Sequence, residues 1–207
     1  MEGRLLNKKH FLPNCCRLFG VLALGLSMSN TAGAADAKGN FAIDGGGSQP
    51  CESFTTAKTK KTTDYQIYAG WVDGYVTAAN QYSKDTYDLT PWQTTELLLS
   101  ALVKHCTANP TQPFIIAVNN MLAALKPARL QNKSELVMVQ TTGGGSLVYK
   151  AVLESVQRKL AEKKLYSGKI DGAYSPAVRD ALRAYQGSER ISASGLPDQA
   201  TLLKLLK

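Results

Sequence analysis

Histidine is nearly missing from this chain of 207 residues: of its two copies, His10 lies near the N-terminus and only His105 stands beyond the first apolar run. A zinc amidase needs about three protein donors around an open position, histidines and carboxylates first among them, so that chemistry is excluded. No phosphate-binding glycine loop and no Ser-His-Asp arrangement is visible. Long apolar runs are missing as well. The longest, "LFGVLALGLSM" from Leu18 to Met28, has 11 residues, well short of the roughly 18 to 20 that a membrane-crossing helix needs. No transmembrane segment is therefore expected in the mature chain. Cysteine is scarce too, with four copies of which Cys15 and Cys16 precede the apolar run.

What stands at the N-terminus is patterned. Arg4, Lys8, Lys9 and Arg17 face Glu2 alone, the apolar run follows, and the small-residue tract "SNTAGAADA" closes it. That order is a secretory signal peptide over residues 1–35, cut after Ala34 or Ala35. Cys15 and Cys16 lie on the wrong side of the apolar run for a lipoprotein signal. An exported chain of this kind belongs in the periplasm of a Gram-negative envelope. There the remaining pair, Cys51 and Cys106, is expected to form a disulfide. Charge divides the mature chain: residues 36–146 hold nine basic and nine acidic side chains, residues 147–207 eleven and six. The positive excess belongs to the C-terminal third.

Residues 36–50, "DAKGNFAIDGGGSQP", lack apolar periodicity and read as a flexible tether. The polar stretch to Asp64 reads as a loop, with Lys58, Lys60 and Lys61 solvated. From Asp64, Tyr65, Tyr68, Val72, Tyr75, Val76 and Ala79 recur at helical spacing. "TPWQTTELLLSALVKHC" predicts a second helix with Thr90 as N-cap, Pro91 at its first position and Gln93 closing a capping box. A third is predicted from about Gln112 to Leu125, ended by Pro127. "SELVMVQTT" reads as a short strand or extended connector. The Gly-rich stretch 141–146 reads as a linker, which makes 51–140 one helical domain and 147–207 another. The fold class expected is all-α, with two small helical domains.

The second domain carries an internal repeat. Val152, Val156, Leu160 and Ala161 mark one amphipathic helix, and Ser175 with Pro176 starts another whose inward residues are Val178, Ala181, Leu182 and Tyr185. Aligning Gly172 with Gly195 sets Ser175 over Asp198, Val178 over Thr201 and Leu182 over Leu205. A loop-capped helix is used twice. Val156-Gln157, Gly168, Ile170-Asp171-Gly172, Tyr174, Pro176, Ala181, Tyr185-Gln186, Gly195, Asp198 and Thr201-Leu202 together resemble the peptidoglycan-binding-like domain. That family is a three-helix module appended to many cell-wall enzymes. The resemblance implies peptidoglycan as ligand.

Read from the residues, Asp171-Gly172 is a turn dipeptide, and Ile170, Tyr174 and Tyr185 are core candidates in a domain with few large apolar side chains. Peptidoglycan stems present carboxylates, which Lys163, Lys164, Lys169, Arg179 and Arg183 can meet with charge-assisted hydrogen bonds. The alternative is a solvated basic face. With Tyr166, Asp171 and Tyr174 these residues make up the candidate ligand site. Nucleic acid is not an expected partner, since no basic-aromatic stripe or finger motif occurs.

The first domain offers little chemistry. Cys106 adjoins His105, but consecutive helical residues diverge and Cys106 is expected to be bonded to Cys51. Glu96 is the one candidate on a well-defined helix for the raised-pKa Glu of a glycan lyase or muramidase, and it sits near an N-terminus that favours any acid. Trp71-Val72-Asp73-Gly74-Tyr75, Cys106 with Asn109-Pro110, and the Ala-rich third helix around Ala117 loosely resemble periplasmic immunity proteins against type VI secretion amidases. Tyr65, Tyr68, Trp71, Tyr75, Tyr82, Tyr87 and Trp92 make the region aromatic, as core or, for a few, as platforms for sugars or a partner. The expectation is an exported, non-catalytic peptidoglycan-binding protein without cofactor or metal, whose central domain engages a cell-wall enzyme or envelope protein. An amidase inhibitor or immunity factor, and an atypical wall hydrolase, are the alternatives.

Overall fold

The computed structural model of the chain describes residues 35–206. The expected signal peptide, Ala35 apart, lies outside the described residues, as do Cys15 and Cys16. Residues from Ala42 onward form one compact unit. Its helices are α1 (Cys51–Lys60), α2 (Asp64–Tyr82), α3 (Thr95–Ala108), α4 (Phe114–Leu125), α5 (Lys150–Glu162), α6 (Pro176–Ser188) and α7 (Gln199–Leu205). One hairpin joins β1 (Leu136–Thr141) to β2 (Gly144–Tyr149). The described chain is therefore mostly helical, with one two-stranded sheet. None of its helices is long and apolar enough to cross a membrane.

Two hydrophobic clusters organise it. The first draws on α1 to α4: Phe54 is fully buried with its ring 4.7 Å from Phe114, 5.2 Å from Tyr68 and 5.8 Å from Tyr65. Tyr65, Tyr68, Val72 and Val76 are buried along α2 as their spacing requires, with Tyr75 and Ala79 half-buried beside them. Tyr82 and Tyr87 are exposed. The disulfide Cys51–Cys106 ties the first turn of α1 to the last turn of α3.

Four segments depart from their reading. The polar stretch after Cys51 is helix α1, because Cys51, Phe54 and Ala57 recur every third residue and bury one face while Lys58 and Lys60 stay exposed. The supposed tether is packed from Gly45 to Ser48, a short 3-10 turn in which Gly46 and Gly47 are buried. Glycines let this backbone lie flat on Tyr68 and Trp71, whose indole Nε1 donates to the Asp44 carbonyl (2.9 Å). Gly47→Ala would place a methyl inside the Trp71 ring. The expected cost is about 2 kcal/mol, as for other overpacked sites, read as a lower thermal midpoint.

The helix expected to start at Thr90 instead starts at Thr95, with Thr94 as N-cap accepting from Leu97 N–H. Residues before it are held out of the helix by the C-terminal part: Gln199 Nε2 donates to the Trp92 carbonyl, and Gln199 Oε1 accepts from Thr94 N–H (3.1 Å). Trp92 packs against the second cluster. A capping box at Thr90 loses to this distant partner. Finally, the Gly-rich linker is the tip of the hairpin, where β1 and β2 pair antiparallel with Val139 opposite Ser146 and Met138 opposite Leu147. Val139 and Val148 point into the second cluster. Alternation at Val137 and Val139 was the signal; the glycines supply the turn, not a joint.

The second cluster is built by α5, α6 and α7. Val152, Leu153, Val156 and Leu160 on α5 meet Val178, Ala181, Leu182 and Tyr185 on α6, closed by Leu202 and Leu205 of α7. Ser175 caps α6 by accepting from Val178 N–H (3.3 Å), and Asp198 caps α7 by accepting from Thr201 N–H (2.9 Å). Both caps fall where the repeat sets them.

Candidate functional site

The loops that carry the candidate ligand residues are fixed by two buried glutamines. Gln157 follows the core residue Val156 on α5 and is fully buried. Its Oε1 accepts from Asp171 N–H (2.9 Å) and Gly172 N–H (2.8 Å), while its Nε2 donates to Asp171 Oδ1 (3.0 Å) and the Ala173 carbonyl (3.1 Å). Gln186, following Tyr185 on α6, repeats the device. It accepts from Gly195 N–H (2.8 Å) and donates to Ser194 Oγ, the Leu196 carbonyl and Thr201 Oγ1. Among the described residues, every buried side-chain nitrogen and oxygen has a partner. A primary amide, with two donors and one acceptor oxygen, is the side chain able to satisfy both senses of backbone group in one loop.

Gly172 and Gly195 are needed at these turns. Both have positive φ, +69° and +78°, and a Cβ at Gly195 would come 2.7 Å from Arg179 Cγ and 3.3 Å from the Arg179 carbonyl. Each turn thus lies directly on the start of the helix before it, Gly172 on Lys150 and Glu154, Gly195 on Arg179 and Arg183.

The expected ligand residues fall into three places. Tyr174, Arg179 and Arg183 converge at the second turn, where Tyr174 Oη donates to the Gly195 carbonyl (2.8 Å). Burial holds the Tyr174 phenol above its ordinary range against the opposing pull of Arg179 and Arg183. Both arginines also reach the exposed Asp180, at 3.3 and 3.9 Å. Tyr166, Lys169 and Asp171 share the first turn: Tyr166 Oη donates to the Lys169 carbonyl (2.8 Å), and the Ala173 N–H, then the Gln157 amide, hold the Asp171 carboxyl below its usual range. Lys163 and Lys164 lie past the far end of α5, roughly 20 Å along the helix from Lys150. There Lys163 Nζ stands 5.4 Å from the Tyr185 ring centroid. Tyr185 is core, as expected; Ile170 is not, at 39% exposed. Gln157 already fills the space under the Asp-Gly turn, so Ile170 is turned outward.

Reading residue by residue missed the glutamines' role, although each sits on the buried face of its helix directly after a core residue and ahead of a Gly turn. It also missed the junction around Trp92. Two cavities meet there. One of about 610 Å³ lies among α3, α4, α5 and α7 and is mainly apolar. The other, about 480 Å³, lies between the loop at Trp92, strand β2 and the approach to α7. Tyr149, on whose ring Tyr87 packs edge-on at 6.1 Å, is half-buried against the second cluster. Burial first, then the Asp88 carboxylate, pushes its phenol up to about 12.

In the helical first cluster, Cys106 is bonded to Cys51, His105 Nε2 is 2.6 Å from Gln112 Oε1, and Glu96 is exposed on the first turn of α3. No cluster of three His, Cys, Asp or Glu that could hold a metal occurs among the described residues. Comparison with the curated proteins gives no match, nor does comparison with the solved structures. Residues 151–205 match the family model described as "Putative peptidoglycan binding domain". They span the Gln157 clamp, the Gln186 clamp and the two capped helices α6 and α7, and this C-terminal part of the chain is a peptidoglycan-binding-like domain.

Proposed function

We propose that the protein is an exported, non-catalytic peptidoglycan-binding protein of the periplasm, whose C-terminal module docks on the cell wall while the central helices engage a protein partner. The matched module carries this reading. Export is supported by the signal-like N-terminus and by a disulfide of the kind oxidising compartments retain. The non-catalytic part is supported by Cys106, the one thiol beside a histidine, being bonded to Cys51.

Within the module, Tyr174, Arg179 and Arg183 are the residues we assign to stem-peptide carboxylates, because they gather at one rigid turn. The double variant Arg179→Glu, Arg183→Glu should bind purified sacculi about tenfold or more weakly, through lost charge-assisted hydrogen bonds, with an unchanged thermal midpoint. Co-sedimentation at low and moderate salt reads this. Equal binding would make the basic face a solvated one, and no binding by the unaltered protein would remove the proposed function. Stoichiometric inhibition of a wall amidase would give the central helices the immunity role instead.

A further inference from the structure

Trp92 stands where three pieces of chain meet: the loop before α3, the Gly145–Val148 part of β2, and Leu196–Gln199 before and into α7. The groove of about 480 Å³ between them has the size of a small-ligand site. Its lining mixes apolar surface from Leu147, Leu196 and Pro197 with the polar groups of Thr90, Gln93 and Ser146. One charged residue borders it, Asp198, whose carboxylate already accepts from Thr201 and Ser194. The lining suits a neutral ligand with flat apolar faces and a polar edge.

The indole is set in place without a ligand. The backbone N–H of Trp92 donates to Gln93 Oε1 (3.3 Å) and its backbone carbonyl accepts from Gln199, which fixes the main chain here, while the side chain packs in part on the second cluster. Meanwhile Gln93 Nε2 and Ser146 Oγ make no hydrogen bond among the described residues. A pyranose ring is the matching ligand: its C–H faces are apolar, and its hydroxyl and amide substituents project from the rim. Tryptophan meets such a face with large area at low entropic cost.

We propose that this groove binds the glycan backbone of peptidoglycan, one sugar ring lying against Trp92 and its substituents bonding Gln93 and Ser146. The inference rests on the peptidoglycan-binding reading and divides the ligand: stem carboxylates at Arg179 and Arg183, uncharged sugar in a groove that residues outside 151–205 complete.

The chain has two tryptophans, so Trp71→Phe in the full-length mature protein leaves Trp92 as the sole indole. Titration with hexa-N-acetylchitohexaose, and with peptide-free glycan strands, should change its emission saturably, whereas a free stem tripeptide should leave it unchanged. Adding Gln93→Glu, which keeps the Oε1 acceptor for the Trp92 backbone N–H but removes the Nε2 donor, and Ser146→Val should weaken glycan binding about tenfold, as for two lost hydrogen bonds, while the fold remains. Emission unmoved by millimolar glycan, or glycan affinity untouched by the two substitutions, overturns the inference. If sacculi are still bound in that case, the peptidoglycan reading stands alone; if neither glycan nor sacculi bind, both fall.

Discussion

Replacing both Cys51 and Cys106 by Ala should lower the melting temperature of the full chain by roughly 10 °C. The bond spans 55 positions of sequence, and closing a loop of that size removes about 4 kcal/mol of unfolded-chain entropy in the loop-closure description. At about 2 to 4 °C per kcal/mol for a chain of this size, the shift is large. Two contributions compound it. Both cysteines are fully buried, and the N-terminus of α1 otherwise depends on a few backbone bonds, Cys51 N–H to Gln112 and Glu52 N–H to Pro110 among them. Alanine avoids the unpaired hydroxyl that serine would bury. Sacculus binding at room temperature should survive, because Gln157, Gln186 and Arg179 stand on α5 and α6, the helices of the other hydrophobic cluster. Calorimetry with and without reductant tests this: an unaltered transition once the thiols are free would mean that packing alone holds α1 in place.

Where the sequence was legible, the reason is local. Ser175-Pro176 and Asp198 cap helices because the side-chain oxygen two or three residues ahead of a backbone N–H is a property of the peptide itself. The α2 face from Tyr65 to Val76 and the inward residues of α6 follow from a period that any partner will bury. Illegible elements depended on distant chain. Thr90, Pro91 and Gln93 have good capping chemistry, yet Gln199, more than a hundred residues away, binds the Trp92 carbonyl and moves the helix start to Thr95. Gly45–Gly47 and Gly143–Gly145 look alike on paper as flexible glycine. The first is set by the flat rings of Tyr68 and Trp71, the second by the pairing of β1 with β2. Composition reports conformational freedom; neighbours decide whether it is used. The same holds for the site. Residue types named a basic, aromatic face, but only the fold gathers Tyr174, Arg179 and Arg183 at the turn of Gly195 and adds Trp92 to the surroundings of α7.

Gln157→Leu should cost about 3 kcal/mol, since it leaves the N–H groups of Asp171 and Gly172 and the Ala173 carbonyl without their partner while keeping the volume. Gln157→Glu separates the two senses of the clamp. Its oxygen still accepts from Asp171 N–H and Gly172 N–H, but a second carboxylate now faces Asp171 Oδ1, which in the native chain accepts from the amide at 3.0 Å. The two proteins should therefore answer pH with opposite slopes. In the native chain, Asp171 is held below its usual range by the Ala173 N–H and the Gln157 amide, so its stabilisation is present above the unfolded value and lost as pH falls through the depressed folded one. In the variant, the neighbouring carboxylate raises the folded pKa of the introduced group. Its stabilisation is complete below the ordinary Glu value of about 4.3 and lost as pH rises through the raised one. Thermal midpoints measured near neutrality and near the Glu value should show the gap between native and variant narrowing in acid. A gap independent of pH would mean that the amide's bond to Asp171 contributes nothing, and that the turn is held by its two accepted N–H groups and by Gly172 alone.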